Sequence, residues 1–109
     1  MQVFFGVDNF EILIKGKASH SGVEPEKGIS AIKILSSIIS QIKTGRITDY
    51  TTLNIGFIEG GNAINIVPFM AKAKGEIRGF KREEINLIED NIKKIIIKTI
   101  KKEKKTNIL

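Results

Sequence analysis

The chain has 109 residues, of which 41% are hydrophobic and 28% charged, and a formal net charge of +6. This length supports one hydrophobic core, so we predict a single domain over residues 1–109 with its core within residues 10–100. The absence of cysteine excludes disulfides and thiolate metal ligands and fits a cytoplasmic location. No apolar run is long enough to predict a membrane span, so no membrane partner is expected.

Most of the excess positive charge lies in the last predicted helix and the tail. Lysines late in a helix interact favourably with the helix dipole and keep an exposed face in water. Their position therefore explains the charge, and no nucleic-acid partner is predicted. These lysines are Lys93, Lys94, Lys98, Lys101, Lys102, Lys104 and Lys105.

Residues 1–8 are apolar without a clear period, and Gly6 and Asp8 interrupt them. We expect a disordered lead or the remnant of a neighbouring element there. From Phe10 to Ala18 apolar and polar residues alternate, which predicts a half-buried first strand.

The only histidine, His20, follows this strand in a short polar loop. A histidine at a strand end between small residues faces solvent and is a candidate site residue, although an ordinary loop histidine has the same local sequence. Pro25 and Glu26 suit a helix N-terminus. From Lys27 onward an amphipathic helix is predicted, and Gly45 is expected just past its end. Its stripe contains Ile29, Ile32, Leu35, Ile39 and Ile42, widened by Ile34 and Ile38.

Two further strands alternate in the same way. The second strand has Leu53, Ile55 and Phe57 on its apolar side and stops at residues 59–61. The third has Phe69, Ala71, Ala73, Gly75 and Ile77 on one side and Met70, Lys72, Lys74, Glu76 and Arg78 on the other. Such one-sided alternation indicates an antiparallel sheet with helices on one face.

A second helix follows, with Ile85, Ile88, Ile92, Ile95 and Ile96 in one stripe. The order strand, helix, strand, strand, helix predicts an α+β fold, a two-layer sandwich of ferredoxin-like type with two helices on one face of an antiparallel sheet. Its final strand is expected to be short or missing. Either residues 106–109 begin that strand, or the chain ends before it.

Three segments, GKASHSGVEPEKGISAI, LNIGFIEGGNAINIVP and AKGEIRG, together resemble the lid or dimerisation domain of peptidase T-like and carboxypeptidase G-like zinc metallopeptidases, a group that includes desuccinylases and aminoacylases. The resemblance covers residues 10–100. It implies a domain inserted in a larger catalytic domain that holds two zinc ions, a homodimer, and a peptide substrate hydrolysed by a tripeptidase or aminopeptidase-like enzyme.

The resemblance also implies roles for three residues. His20 would contact the oxyanion in the partner's active site, Asn65 would contact substrate, and Arg78 would bind a substrate carboxylate. Imidazole and amide N–H groups can donate to an oxyanion, and a guanidinium pairs with a carboxylate. If the first and third strands pair antiparallel, His20 and Asn65 lie at the same end, whereas Arg78 is roughly 40 Å away along a straight chain. We therefore expect His20 and Asn65 to serve the partner's site and Arg78 its own.

The family's zinc ligands and general base belong to the catalytic domain, and a single histidine cannot hold two zinc ions. The chain alone is therefore expected to bind no metal and to be inactive, as an excised domain, a truncated product or one piece of a longer enzyme. One alternative is a stand-alone interaction module that dimerises through a sheet edge. Another is an RNA-binding domain, which would need aromatic residues on the open sheet face, where the third strand has none.

Overall fold

The computed structural model describes residues 1–108, and the side chains of residues 1–103. The elements are β1 (Gln2–Phe5), β2 (Asn9–Lys15), a 3-10 helix (Pro25–Lys27), α1 (Ala31–Gln41), β3 (Gly45–Thr48), β4 (Thr51–Gly60), β5 (Met70–Gly79) and α2 (Arg82–Ile108). The strands form one antiparallel sheet in the order β1-β2-β5-β4-β3, with both helices packed on one face. The predicted α+β two-layer sandwich is confirmed.

The hydrophobic core lies between the helices and the central strands. In β2 and β5 the buried positions alternate as predicted, but Phe69 is 46% exposed. The prediction that Phe69 faces the core is wrong, because β5 begins only at Met70. The hydrophobic side chains that are at most 7% exposed are Phe10, Ile12, Ile14, Ala31, Ile34, Leu35, Ile38, Ile42, Leu53, Ala71, Ala73, Ile77, Ile92 and Ile96.

Helix α1 begins later than predicted and turns a different face to the sheet. The Ser30 hydroxyl caps it by accepting from the Lys33 amide at 3.2 Å, whereas Pro25 begins the separate 3-10 helix. The Ala31 amide donates to the Pro68 carbonyl at 2.9 Å, so the first turn is fixed against the loop before β5. Ala31 is therefore buried, and Ile32, predicted in the core stripe, is 38% exposed.

Two short strands were not predicted. The first, β1, pairs with β2 from Gln2↔Leu13 to Phe5↔Phe10, so the interpretation of residues 1–8 as a segment outside the sheet is wrong. The second, β3, pairs with residues 51–53 of β4. Gly45, with φ +90°, begins β3 instead of capping α1, which ends with Ile42 as its C-cap.

Strand β1 lies beside β2, where the final strand of a ferredoxin-like unit would pair. Helix α2 continues through Ile108, so residues 106–108 do not begin a strand, and Leu109 lies outside the described residues. Strand β1 is therefore one of the two edge strands of the sheet. No described helix is long and apolar enough to cross a membrane.

Strand β4 contains a bulge that reverses its inside–outside pattern. The pairing with β5 passes from Ile55↔Gly75 directly to Phe57↔Lys74, so Gly56 is the extra residue. Phe57 consequently lies on the open face, where the Lys74 ammonium is 5.2 Å from its ring centroid. The prediction of Phe57 as a core residue is wrong, and the open face does carry aromatic rings.

Helix α2 is anchored at its start by Glu84. The hydroxyls of Thr48 and Thr51 donate to the Glu84 carboxylate at 2.7 and 2.8 Å and join the helix to the β3–β4 hairpin. These two hydrogen bonds, with a smaller contribution from Lys81, hold the pKa of Glu84 below its usual value.

We expect Ile92→Ala to lower the free energy of unfolding by about 2–5 kcal/mol, because this side chain is completely buried and its loss leaves a cavity. The matched control is Ile32→Ala, the same truncation at a partly exposed position. Denaturant unfolding of both variants measures the difference. Equal losses would show that the buried face of α1 has been assigned incorrectly.

The Glu84 carboxylate should stabilise the fold only where it is ionised. Because its pKa is lowered in the folded state, its contribution is present above the ordinary pKa of a glutamate and is lost as the pH falls through the lowered folded-state pKa. The stability difference between the native chain and Glu84→Gln should therefore shrink between pH 7 and pH 3, as measured by urea unfolding. Glu83→Gln is the control, and a difference that does not change with pH would contradict the assignment.

Candidate functional site

The candidate site lies where β2 ends and β5 begins. The ladder between these strands closes with the pair Lys15↔Met70. Hydrogen bonding continues beyond it, because the Gly16 amide donates to the Phe69 carbonyl at 2.7 Å. The loops that follow β2 and precede β5 are therefore held together as an extension of the central sheet.

This extension brings two of the predicted site residues together. The Val67 amide donates to the Ser19 carbonyl at 2.8 Å, and the Ser21 amide donates to the Asn65 carbonyl at 2.9 Å. His20 lies between these two bonds in an antiparallel bridge. The prediction that His20 and Asn65 lie at the same end of the sheet is confirmed by this geometry.

The backbone around His20 forms a tight turn. Its carbonyl accepts from the Glu24 amide at 2.9 Å, and its ring Nδ1 accepts from the Gly22 amide at 3.1 Å. Both His20 and Asn65 are exposed. An imidazole N–H and a carboxamide N–H are both able to donate to an oxygen that gains negative charge.

The segment after the 3-10 helix packs closely against this loop at Gly28. A Cβ atom at Gly28 would overlap Ser19 Oγ and would lie 2.9 Å from Val67 Cβ. Ser19 Oγ is itself buried, with no hydrogen-bond partner in the described part of the chain. Only glycine fits here, and the segment after the 3-10 helix packs directly under the bridge that holds His20.

Arg78 lies far from this pair. It is opposite Thr52, eight residues beyond Met70, which is about 26 Å along the strand. Its side chain is exposed, and its Nε lies 3.3 Å from Glu76 Oε2. The structure thus brings His20 and Asn65 together and leaves Arg78 towards the opposite end of the sheet.

Two features of the site were not found from the sequence. One is the hydrogen bond from Gly22 to His20. The other is a groove of about 590 Å³ beside the loop before β5, whose walls include Ala18, Ile66 and Lys72. The glycine pair at residues 60–61, where Gly61 has φ +81°, is the sequence signal for the turn that forms one wall.

A zinc site does not fit the residues described here. Zinc in proteins requires several nearby histidine, cysteine or carboxylate ligands. Among the described side chains, those of residues 1–103, no three such groups lie closely enough together to hold a metal ion.

The sequence and the fold of this chain are similar to those of known proteins. The family model described as "Peptidase dimerisation domain" matches residues 4–105. The aminopeptidase PepT of Bacillus cereus ATCC 10987 is 36% identical, with a TM-score of 0.82 over 88% of this chain and 26% of that one. A tripeptidase of Staphylococcus aureus is 32% identical, with a TM-score of 0.80 over 87% of this chain and 25% of that one.

A curated relative, the N-acetylcysteine deacetylase of Bacillus subtilis, is 29% identical over 94 residues, which are 82% of this chain and 24% of that protein. The chain therefore spans about a quarter of the length of each of these three proteins.

Proposed function

Because this chain belongs to the peptidase dimerisation domain family, we propose that it is one part of a larger two-domain enzyme, a metal-dependent tripeptidase or aminopeptidase-like amide hydrolase. The two similar structures are those of an aminopeptidase and a tripeptidase, which supports a peptide substrate. Two zinc ions would be bound by the catalytic domain, since the residues described here do not form a zinc site. The cysteine-free composition fits a cytoplasmic enzyme.

The observation that carries this proposal is the antiparallel bridge between His20 and Ile66, which brings the loops of His20 and Asn65 together. The Ser21 amide donates to the Asn65 carbonyl and the Val67 amide donates to the Ser19 carbonyl, so the two loops form one short ladder in which both His20 and Asn65 are exposed. In the proposed enzyme His20 donates to the oxyanion of the tetrahedral intermediate, and Asn65 contacts the same substrate. One such donor accounts for about a hundredfold to a thousandfold in turnover.

Arg78 would act at a different place. Because it lies about 26 Å along β5 from Met70, one protomer cannot direct all three residues at a single substrate. We assign His20 and Asn65 to the active site of the partner subunit and Arg78 to the site of its own chain, where its guanidinium would bind a substrate carboxylate.

The proposed homodimer would form along the free edge of β4. Strand β3 pairs only with residues 51–53, so residues 54–60 have one neighbouring strand, β5, in the described structure. After the bulge Phe57 lies on the open face and Ile58 on the side of the helices, where it is 53% exposed. An unpaired strand with apolar side chains on both faces favours pairing with a second copy. A stand-alone interaction module would use the same edge, but it would have no use for the His20–Asn65 pair.

We expect the 109-residue chain to sediment as a dimer, or to shift towards one with concentration, at micromolar concentrations. Ile58→Lys should shift it to the monomer. Dimer formation would bury this lysine in the interface, where its charge would have no partner. Leu87→Lys, an equal change at an exposed position of α2, is the control. A native chain that remains monomeric would contradict the dimer proposal.

In the full-length enzyme, His20→Ala should lower kcat about a hundredfold to a thousandfold with bound metal unchanged, because an oxyanion donor acts in the transition state and not on the metal. Val23→Ala, in the same loop, should retain activity.

Mixing the His20 variant with a variant inactivated at its metal site tests whether His20 acts in the partner's site. Heterodimers should recover part of the activity. If the subunits exchange and no activity returns, His20 does not act across the dimer.

A further inference from the structure

The ring of His20 is held by its own loop. The Gly22 amide nitrogen lies 3.1 Å from Nδ1. A backbone amide always carries a hydrogen, so Nδ1 must be the acceptor, and the neutral ring carries its hydrogen on Nε2. The loop backbone therefore selects one of the two neutral tautomers.

The position of the Gly22 amide does not depend on the ring. The turn is closed by the Val23 and Glu24 amides, which donate to the His20 carbonyl at 3.3 and 2.9 Å. It is joined to the loop before β5 through Ser21 and Asn65. The donor to Nδ1 is thus already in place before any substrate is bound, which is the condition for preorganisation.

We propose that Gly22 is a positioning residue whose backbone N–H fixes His20 as the Nε2–H tautomer and directs that N–H away from the turn. In the opposite tautomer Nε2 would carry a lone pair, which repels an oxyanion. The use of this donor in catalysis rests on the proposed function. The hydrogen bond and the tautomer are properties of the chain by itself and can be measured without substrate or catalytic domain.

The test is nuclear magnetic resonance of the ¹⁵N-labelled chain at a pH where the ring is neutral. Because His20 is the only histidine, its ring gives the only imidazole signals in the spectrum. We expect Nε2 to be protonated, Nδ1 to be unprotonated, and a scalar coupling across the hydrogen bond between Nδ1 and the Gly22 amide nitrogen. In urea this coupling should be lost and the two tautomers should mix. A protonated Nδ1, or the same tautomer mixture in the folded and denatured chains, would overturn the inference.

Two substitutions at Gly22 distinguish the effect of its backbone N–H from the effect of an added side chain. Gly22→Ala keeps the N–H, and its Cβ would lie 3.5 Å from His20 Cε1, an ordinary contact, so the coupling should persist. Gly22→Pro has no N–H, and the ring should return to the mixture of the denatured chain. If the proline variant does not fold, the coupling in the native chain decides the question.

A second pair of variants in the full-length enzyme asks which ring nitrogen is used. The glutamine amide nitrogen reaches about the position of Nε2, and the asparagine amide that of Nδ1. We expect His20→Gln to retain about tenfold more turnover than His20→Asn. If both variants lose the same turnover while the native chain shows the Nδ1–Gly22 coupling, the proposed role of His20 is overturned but the hydrogen bond is not. If the variants differ as expected while the native chain lacks this coupling, the positioning role of Gly22 is overturned but the proposed function is not.

Discussion

The register between β2 and β5 is the constraint on which the sheet and the site both depend. Phe10 is paired with Gly75, and its ring occupies the space where a side chain would begin, since a Cβ at Gly75 would lie 2.5 Å from Phe10 Cζ. A slip of one residue would put Phe10 against Lys74 or Glu76 and turn every buried side chain of the strand outward. Backbone pairing continues past the ends of the strands and sets His20 opposite Ile66, the residue that follows Asn65.

The parts of the fold that follow from long periodic patterns could be predicted from the sequence. Strands β2 and β5 and the buried stripe of α2 belong to this class, and Ile92 and Ile96 are buried as expected. The phase of α1 could not be predicted, because its many isoleucines support two overlapping stripes and the choice between them is made by a contact with Pro68, far away in sequence. Strands β1 and β3 have four residues each, too few to establish a period.

In the candidate site, too, some features could be predicted from the sequence and others could not. The placement of His20 and Asn65 at one end of the sheet follows from where the strands end, which the alternation indicates, and from the strand pairing of a ferredoxin-like sheet, which the order of the elements indicates. The hydrogen bond from Gly22 depends on the backbone angles of one turn, and no spacing of residue types reveals them. Gly56 is an intermediate case. A glycine inside a strand suggests a bulge, but only the pairing shows that the residues after it have changed sides.

The bulge at Gly56 gives the residues before it and the residues after it in β4 separate evolutionary constraints. Before Gly56, Leu53 is buried, so its size and shape are restricted by the packing of the core. After Gly56, Phe57 and Ile58 lie outside the core and are restricted by whatever the free edge meets. Substitutions in the outer half, after Gly56, therefore change the surface at the free edge, while the inner half continues to preserve the fold.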